Sequence, residues 1–199
     1  MPDPVAVPDP AAVPDPAAAS GSTTLPAGRR FGPIVQNAFV VRDLQAAVEH
    51  WSGRIGVGPF YLLEHIPFGD VYFRGAPLTL DMSVAIAQWG EVQIELIVQH
   101  DAVPSIYSEF LGRHGEGLQH VGVMTDSLDA HLERLRPLGI EAVQWGATAG
   151  GMRFAYVNTD RQAGGMIELI ETGPAVEAFF AKVRGAAAHW DGTRPLRRL

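Results

Sequence analysis

Two segments of the chain order their apolar and polar positions alike. "IVQNAFVV" has the branched and aromatic content of a buried or half-buried strand. Asp43 stands where it can cap a following helix, "LQAAVEHW", which the glycines of "GRIGVGPF" end. Further on, "LQHVGVM" reads as a strand, Asp126 or Ser127 as a cap, "LDAHLERLRPLG" as a helix, and Gly139 as its terminator. Placing Leu44 over Leu128 sets Gln36 over His120 without a gap, so strand, helix and further strands occur twice.

Each half also closes on a similar strand, "VQIELIV" and then "GMIELIE". The shared Ile-Glu-Leu-Ile makes Glu95 and Glu168 equivalent, and strand alternation puts Glu95 on the opposite face from Ile94 and Leu96. "DVYFRG", "DMSVAIAQW" and "MRFAYVNTD" are further strands, with turns at Gly90-Glu91 and "GATAGG". The latter lacks the lysine and glycine spacing of a phosphate or dinucleotide loop. Between the halves, "DAVPSIYSEFLGRHGEG" predicts a connecting helix with Pro104 in its first turn and a stripe of Ile106, Phe110 and Leu111. A terminal helix follows, whose stripe of Val176, Phe179, Phe180 and Val183 covers sheet surface or a neighbouring subunit.

The organisation expected is therefore an α+β chain. Residues 33–99 form a first module, 100–116 the connecting helix, 117–172 a second module, and 173–199 a helix and tail. Residues 1–28 differ. "MPDPVAVPDPAAVPDPAAASGSTTLPAG" has no aromatic residue and little apolar area to offset the entropy of ordering, so a flexible leader is expected. It has neither the basic start and apolar run of a secretory signal nor an arginine before Arg29, which makes the cytoplasm the expected location.

With no cysteine there is no disulfide and no thiolate ligand, so any metal must rest on His, Asp, Glu or a neutral oxygen. A net charge of -7 speaks against nucleic acid or an anionic membrane surface as partner, and no segment has the apolar length to cross a bilayer. Burying an unpaired carboxylate is costly, so two glutamates among isoleucines at repeated positions call for a partner. If the modules pair about a pseudo-twofold axis, Gln36, Glu95, His120 and Glu168 converge and offer an imidazole, two carboxylates and an amide oxygen to a divalent cation. The alternative pairs the glutamates with Arg74, Arg153 or Arg161, or faces them to water at a sheet edge.

Phe39 to Ala47, Gly117 to Ala130 and "GGMRFAYVNTDRQAGGMIELIE" resemble the vicinal oxygen chelate superfamily, over roughly Ile34 to Thr172. Within it the chain looks most like the glyoxalase and methylmalonyl-CoA epimerase branch. The resemblance implies paired beta-alpha-beta-beta-beta modules around an open, barrel-like cavity with a divalent metal (Zn, Mn, Co, Ni, Mg or Fe). Its ligand positions fall on Gln36, Glu95, His120 and Glu168, so three of four keep a usual ligand type and Gln36 replaces a histidine.

It also implies proton transfer through an enolate-like intermediate, with Glu168 as the first catalytic carboxylate and Glu95 as the second. The further glutamate that the epimerases use falls near Ser83, with Asp81 as a substitute only if it faces inward. Candidate substrate-pocket residues are Tyr61, His65, Tyr72, Trp89 and Arg153. The expected function is a metal-dependent isomerase or lyase acting on a small carbonyl compound, hydrophobic, aromatic or a CoA thioester, in a homodimer. A binding or resistance protein without turnover and a metal-dependent dioxygenase are the alternatives.

Overall fold

A computed structural model describes residues 29–159 and 165–199. The expected leader and Arg161 lie outside them.

The first module runs β1 (Ile34–Val40), α1 (Leu44–His50), β2 (Phe60–Leu63), β3 (Phe68–Phe73), β4 (Ala76–Pro77), β5 (Met82–Trp89) and β6 (Val92–Gln99). Asp43 caps α1 by accepting from the Ala46 N–H, and a π-helical turn at Trp51–Ile55 ends at Gly56 in the left-handed region. Then come α2 (Ile106–His114), β7 (Gly117–Thr125), α3 (Leu128–Leu135), β8 (Ala142–Thr148), β9 (Arg153–Asn158), β10 (Met166–Glu171), α4 (Pro174–Ala188) and β11 (Leu196–Arg198). Of the two caps expected for α3, Ser127 is the one used. Pro104 sits just before α2 rather than in its first turn. Ser105 takes the cap position in a reciprocal pair with Ser108, and this fixes the start.

All strands among the described residues join one sheet in the order β11-β2-β5-β6-β1-β7-β10-β9-β8-β3-β4. Both halves repeat the same pairing, with the first strand parallel to the last (β1 to β6, β7 to β10), and the halves meet where β1 runs antiparallel to β7. The repeat read from the sequence is realised residue by residue. Gln36 pairs with Gly122 as Ala38 pairs with His120, and Ala38 pairs with Glu95 as Gly122 pairs with Glu168.

β3 departs from this symmetry. It leaves the first module and pairs with β8 of the second. Just before it, the Ile66 N–H donates to the Met82 carbonyl on β5, so the chain straddles both halves. One apolar cluster accordingly joins Tyr61, Met82, Val84 and Ile86 to Val71, Phe73, Phe154 and Tyr156, which requires the sheet to curl until its ends face each other. Separate clusters under α1 and α3 back the two outer faces. The α4 stripe is spent inside the chain. Val176 and Val183 are buried, with Val183 and Phe179 in the concave cluster against β5. The apolar stripe that pointed to a second subunit therefore does not require one.

Candidate metal centre

Four central strands, β6-β1-β7-β10, carry the site in two adjacent rows. Glu95, Ala38 and His120 stand in one, and Gln93, Gln36, Gly122 and Glu168 in the next. Neighbours across a ladder point to one face, so the two small residues at the centre leave room for the long polar ones around them. A Cβ added to Gly122 would meet Gln36 Cβ at 3.0 Å and its Oε1 at 3.1 Å. That close approach explains glycine there.

His120 Nε2 lies 3.4 Å from a Glu168 oxygen and 3.7 Å from a Glu95 oxygen. The imidazole is fully enclosed, and the two carboxylates keep only 7% and 12% of their side-chain surface open, too little for water alone to solvate them. Neither of the expected arginines among the described residues arrives. Arg74 pairs with Glu109, and Arg153 with Asp129 and Glu171. Nε2 is buried without a hydrogen-bond partner.

The other ring nitrogen is held from behind. β7 carries an extra residue where its register shifts against β1, since Ala38 faces His120 while Phe39 faces Leu118. The extra residue is Gln119, and its Oε1 lies 2.6 Å from His120 Nδ1. Nδ1 donates to this oxygen, which leaves the Nε2 lone pair facing two carboxylates. A cation among the three satisfies all of them, and an outer-shell acceptor on a ligating imidazole is the usual arrangement. The donor set therefore fits a divalent metal at Glu95, His120 and Glu168, and one ligand atom from each falls within 4.8 Å of the others. Gln36 stands beside them, its amide N–H reaching Gln93 Oε1 at 3.4 Å.

Burial, and next the Glu168 charge, push the Glu95 carboxyl well above its usual range. Burial, and next Glu168, also raise the phenols of Tyr107 and Tyr156, so both stay neutral hydroxyls. Tyr107 donates to Tyr156 at 2.7 Å, and the Tyr156 ring stands edge-on to His120 with centroids 5.0 Å apart. Gln119, Tyr107 and Tyr156 are not among the residues the sequence pattern points to. Tyr156 alone had a signal there, because alternation in "MRFAYVNTD" puts it on the face of Phe154. Gln119→Leu should keep the fold and weaken metal affinity about 10- to 100-fold, measured by competition with a chromophoric chelator. An unchanged affinity would show that Nδ1 needs no partner.

The pocket residues expected from sequence do not gather here. Tyr61 does face the concave cluster, beneath Lys182 Nζ at 5.1 Å from its ring. Trp89 is exposed on the outer side against Trp51, because it occupies an odd step of a strand whose even positions face inward. Tyr72 alternates outward in the same way and stacks on Trp145, while Arg153 is held by Asp129 and Glu171. His65 lies in an exposed cluster with Asp81 and His100. Ser83 and Asp81 do not serve the centre either. Ser83 faces away from it, with its Oγ near the His65 N–H and His100 Nε2, and Asp81 precedes β5 five residues before Ile86, the partner of Glu95. Five strand residues span about 17 Å.

Residues 35–156 match the sequence pattern of the Glyoxalase/Bleomycin resistance protein/Dioxygenase superfamily. The chain belongs to that superfamily. Among solved structures with the superfamily's fold, methylmalonyl-CoA epimerase from Mycobacterium tuberculosis is 21% identical, with a TM-score of 0.54 over 78% of this chain and 97% of that one. A methylmalonyl-CoA epimerase in complex with methylmalonyl-CoA and NH4+ is 16% identical, with a TM-score of 0.54 over 72% and 96%. A hypothetical protein from Bacillus halodurans is 18% identical, with a TM-score of 0.53 over 71% and 94%. No curated protein sequence matches the chain. At such identities the likeness establishes a shared fold and leaves activity to the site. Among the described residues no helix is long and apolar enough to cross a membrane.

Proposed function

We propose that the chain is a metal-dependent isomerase or lyase of the glyoxalase and epimerase type, acting on a small carbonyl-containing substrate through an enolate-like intermediate. The observation that carries this reading is the partnerless His120 Nε2, buried between Glu95 and Glu168. When bound, a divalent cation supplies positive charge to stabilise the oxygen anion that develops beside the reacting carbon. Glu95, His120 and Glu168 would hold it, with the Gln36 amide oxygen available as a fourth donor.

Glu168 is the group that moves the proton. It keeps a small opening to solvent and faces Tyr156 directly across the ladder. Glu95, which faces the same His120 nitrogen, is the second carboxylate available to carry a proton. The tyrosine pair keeps its hydroxyls neutral and excludes water from that wall. Strict methylmalonyl-CoA epimerisation lacks its further carboxylate here, because the inward-facing β5 residues, Met82, Val84, Ile86 and Gln88, include no base. The apolar concave cluster suits a substrate with a hydrophobic or aromatic part, or the acyl end of a CoA thioester.

Exchange in D2O tests the reading. Metal-loaded protein incubated with α-keto compounds, hydroxy ketones and acyl-CoA thioesters, methylmalonyl-CoA included, should move deuterium onto the carbon beside one carbonyl, seen by proton NMR. Glu168→Gln should slow that exchange at least about 100-fold. Tight binding with no exchange anywhere in the panel would instead favour a sequestering role, which the missing β5 carboxylate also supports. A dioxygenase is disfavoured by the ligand set, since the cluster holds one histidine and two glutamates.

A further inference from the structure

A second group of ligating side chains lies where the chain leaves the first module to cross to the second. His65 follows β2, Asp81 precedes β5 and His100 follows β6, and one ligand atom from each lies within 4.8 Å of the others. We propose that His65, Asp81 and His100 form a second divalent-cation site, selective for zinc-like transition ions, that pins this crossover.

The three side chains are already drawn together. His65 Nδ1 is 2.7 Å from Asp81 Oδ1, and the two imidazole rings lie 4.6 Å apart between centroids at 33°. His65 adopts φ 45°, a left-handed backbone uncommon outside glycine, and keeps it with its N–H donating to Ser83 Oγ at 2.9 Å. Ser83 Oγ is also 2.7 Å from His100 Nε2 and so serves as an outer partner that orients this ring. Asp81 is fixed through its backbone, whose N–H donates to Asp101 Oδ2 at 2.6 Å while its carbonyl accepts from the His100 N–H at 2.8 Å.

Two imidazoles with one carboxylate favour zinc, nickel, cobalt or copper over magnesium or calcium, which prefer all-oxygen sets. The His65 and Asp81 side chains are 67% and 46% exposed, so an ion enters without unfolding and water completes its shell. The site is separate from the buried centre. His100 stands just past the end of β6, five residues beyond Glu95, and five residues of extended chain span about 17 Å. Binding here would tie the β2–β3 segment to the ends of β5 and β6, next to the Ile66 to Met82 hydrogen bond that begins the crossover.

Zinc titration of the untagged, chelator-stripped full chain by calorimetry tests the proposal. Wild type should bind one more zinc per chain than a His65→Ala/His100→Ala variant, and Asp81→Asn should weaken that equivalent at least about tenfold. The exposure of these side chains favours folding of the variants, and circular dichroism checks it. Excess zinc should raise the melting temperature of wild type more than that of the double variant. His120→Gln, run in parallel, should lose the other equivalent and keep this one, so failure at one site is distinguishable from failure at the other. Equal stoichiometry in wild type and the double variant overturns the proposal. Saturation by magnesium at micromolar concentration overturns the ion preference.

Discussion

His120→Ala should strip the buried centre of its metal, lowering affinity at least about 100-fold while the fold persists. The imidazole is the ligand most fully oriented before binding, closed off from solvent with Nδ1 held by Gln119 and Nε2 aimed between two carboxylates. Without it, Glu95 and Glu168 face each other across a void, and their repulsion is relieved by a proton on Glu95. Burial first, and the Glu168 charge second, already raise that carboxyl in the metal-free chain. Metal uptake must displace that proton, so affinity should rise with pH toward and through the raised Glu95 range. The same shift sets the sign for stability. A folded carboxyl that holds its proton more tightly than the unfolded one makes the metal-free protein lose stability as pH climbs above the ordinary glutamate range. Metal content after chelator-free purification, compared between wild type and His120→Ala, is the measurement. Equal content would sink the assignment of this centre.

How much of this was legible beforehand depended on whether a feature was periodic. The two half-repeats, both caps, the Gly90-Glu91 turn and the placing of Glu95 on the face opposite Ile94 and Leu96 all follow from local spacing, and the structure contains them. The bulge that swings Gln119 behind His120 does not, because one extra residue in a strand leaves no trace in an alternating pattern until its partner is known. Aromatic residues misled for a related reason. Trp89, Tyr72 and Tyr61 look alike in sequence as pocket walls, yet strand parity sends the first two outward and only Tyr61 inward. The His65 cluster joins residues 35 positions apart through the ends of three strands, and no motif announces it. The crossing of β3 to β8 was equally hidden, since pairing between modules is a tertiary choice.

That crossing depends on one glycine. Gly146→Ala should destabilise the protein by about 2–4 kcal/mol, a fall in melting temperature of roughly 5–15 °C for a chain of this size. Gly146 on β8 pairs with Val71 on β3, where β3 carries an extra residue between Phe68 and Val71. The bulge pushes the Asp70 carbonyl toward β8, and a Cβ on residue 146 would come within 2.5 Å of that oxygen and 2.8 Å of Val71 Cα. Both are backbone atoms, so no rotamer change relieves the clash and the strands must separate. Separation reaches the core, because β3 contributes Val71 and Phe73 to the concave cluster that faces the centre. Gly185→Ala supplies the opposite sign. It lies inside α4 with nothing within 4 Å of a new Cβ, so the gain in helix propensity should stabilise by about 0.5–1 kcal/mol. Urea unfolding of the two variants beside wild type separates the cases. If Gly146→Ala stays within about 0.5 kcal/mol of wild type, β3 is not held against β8 as closely as this register requires.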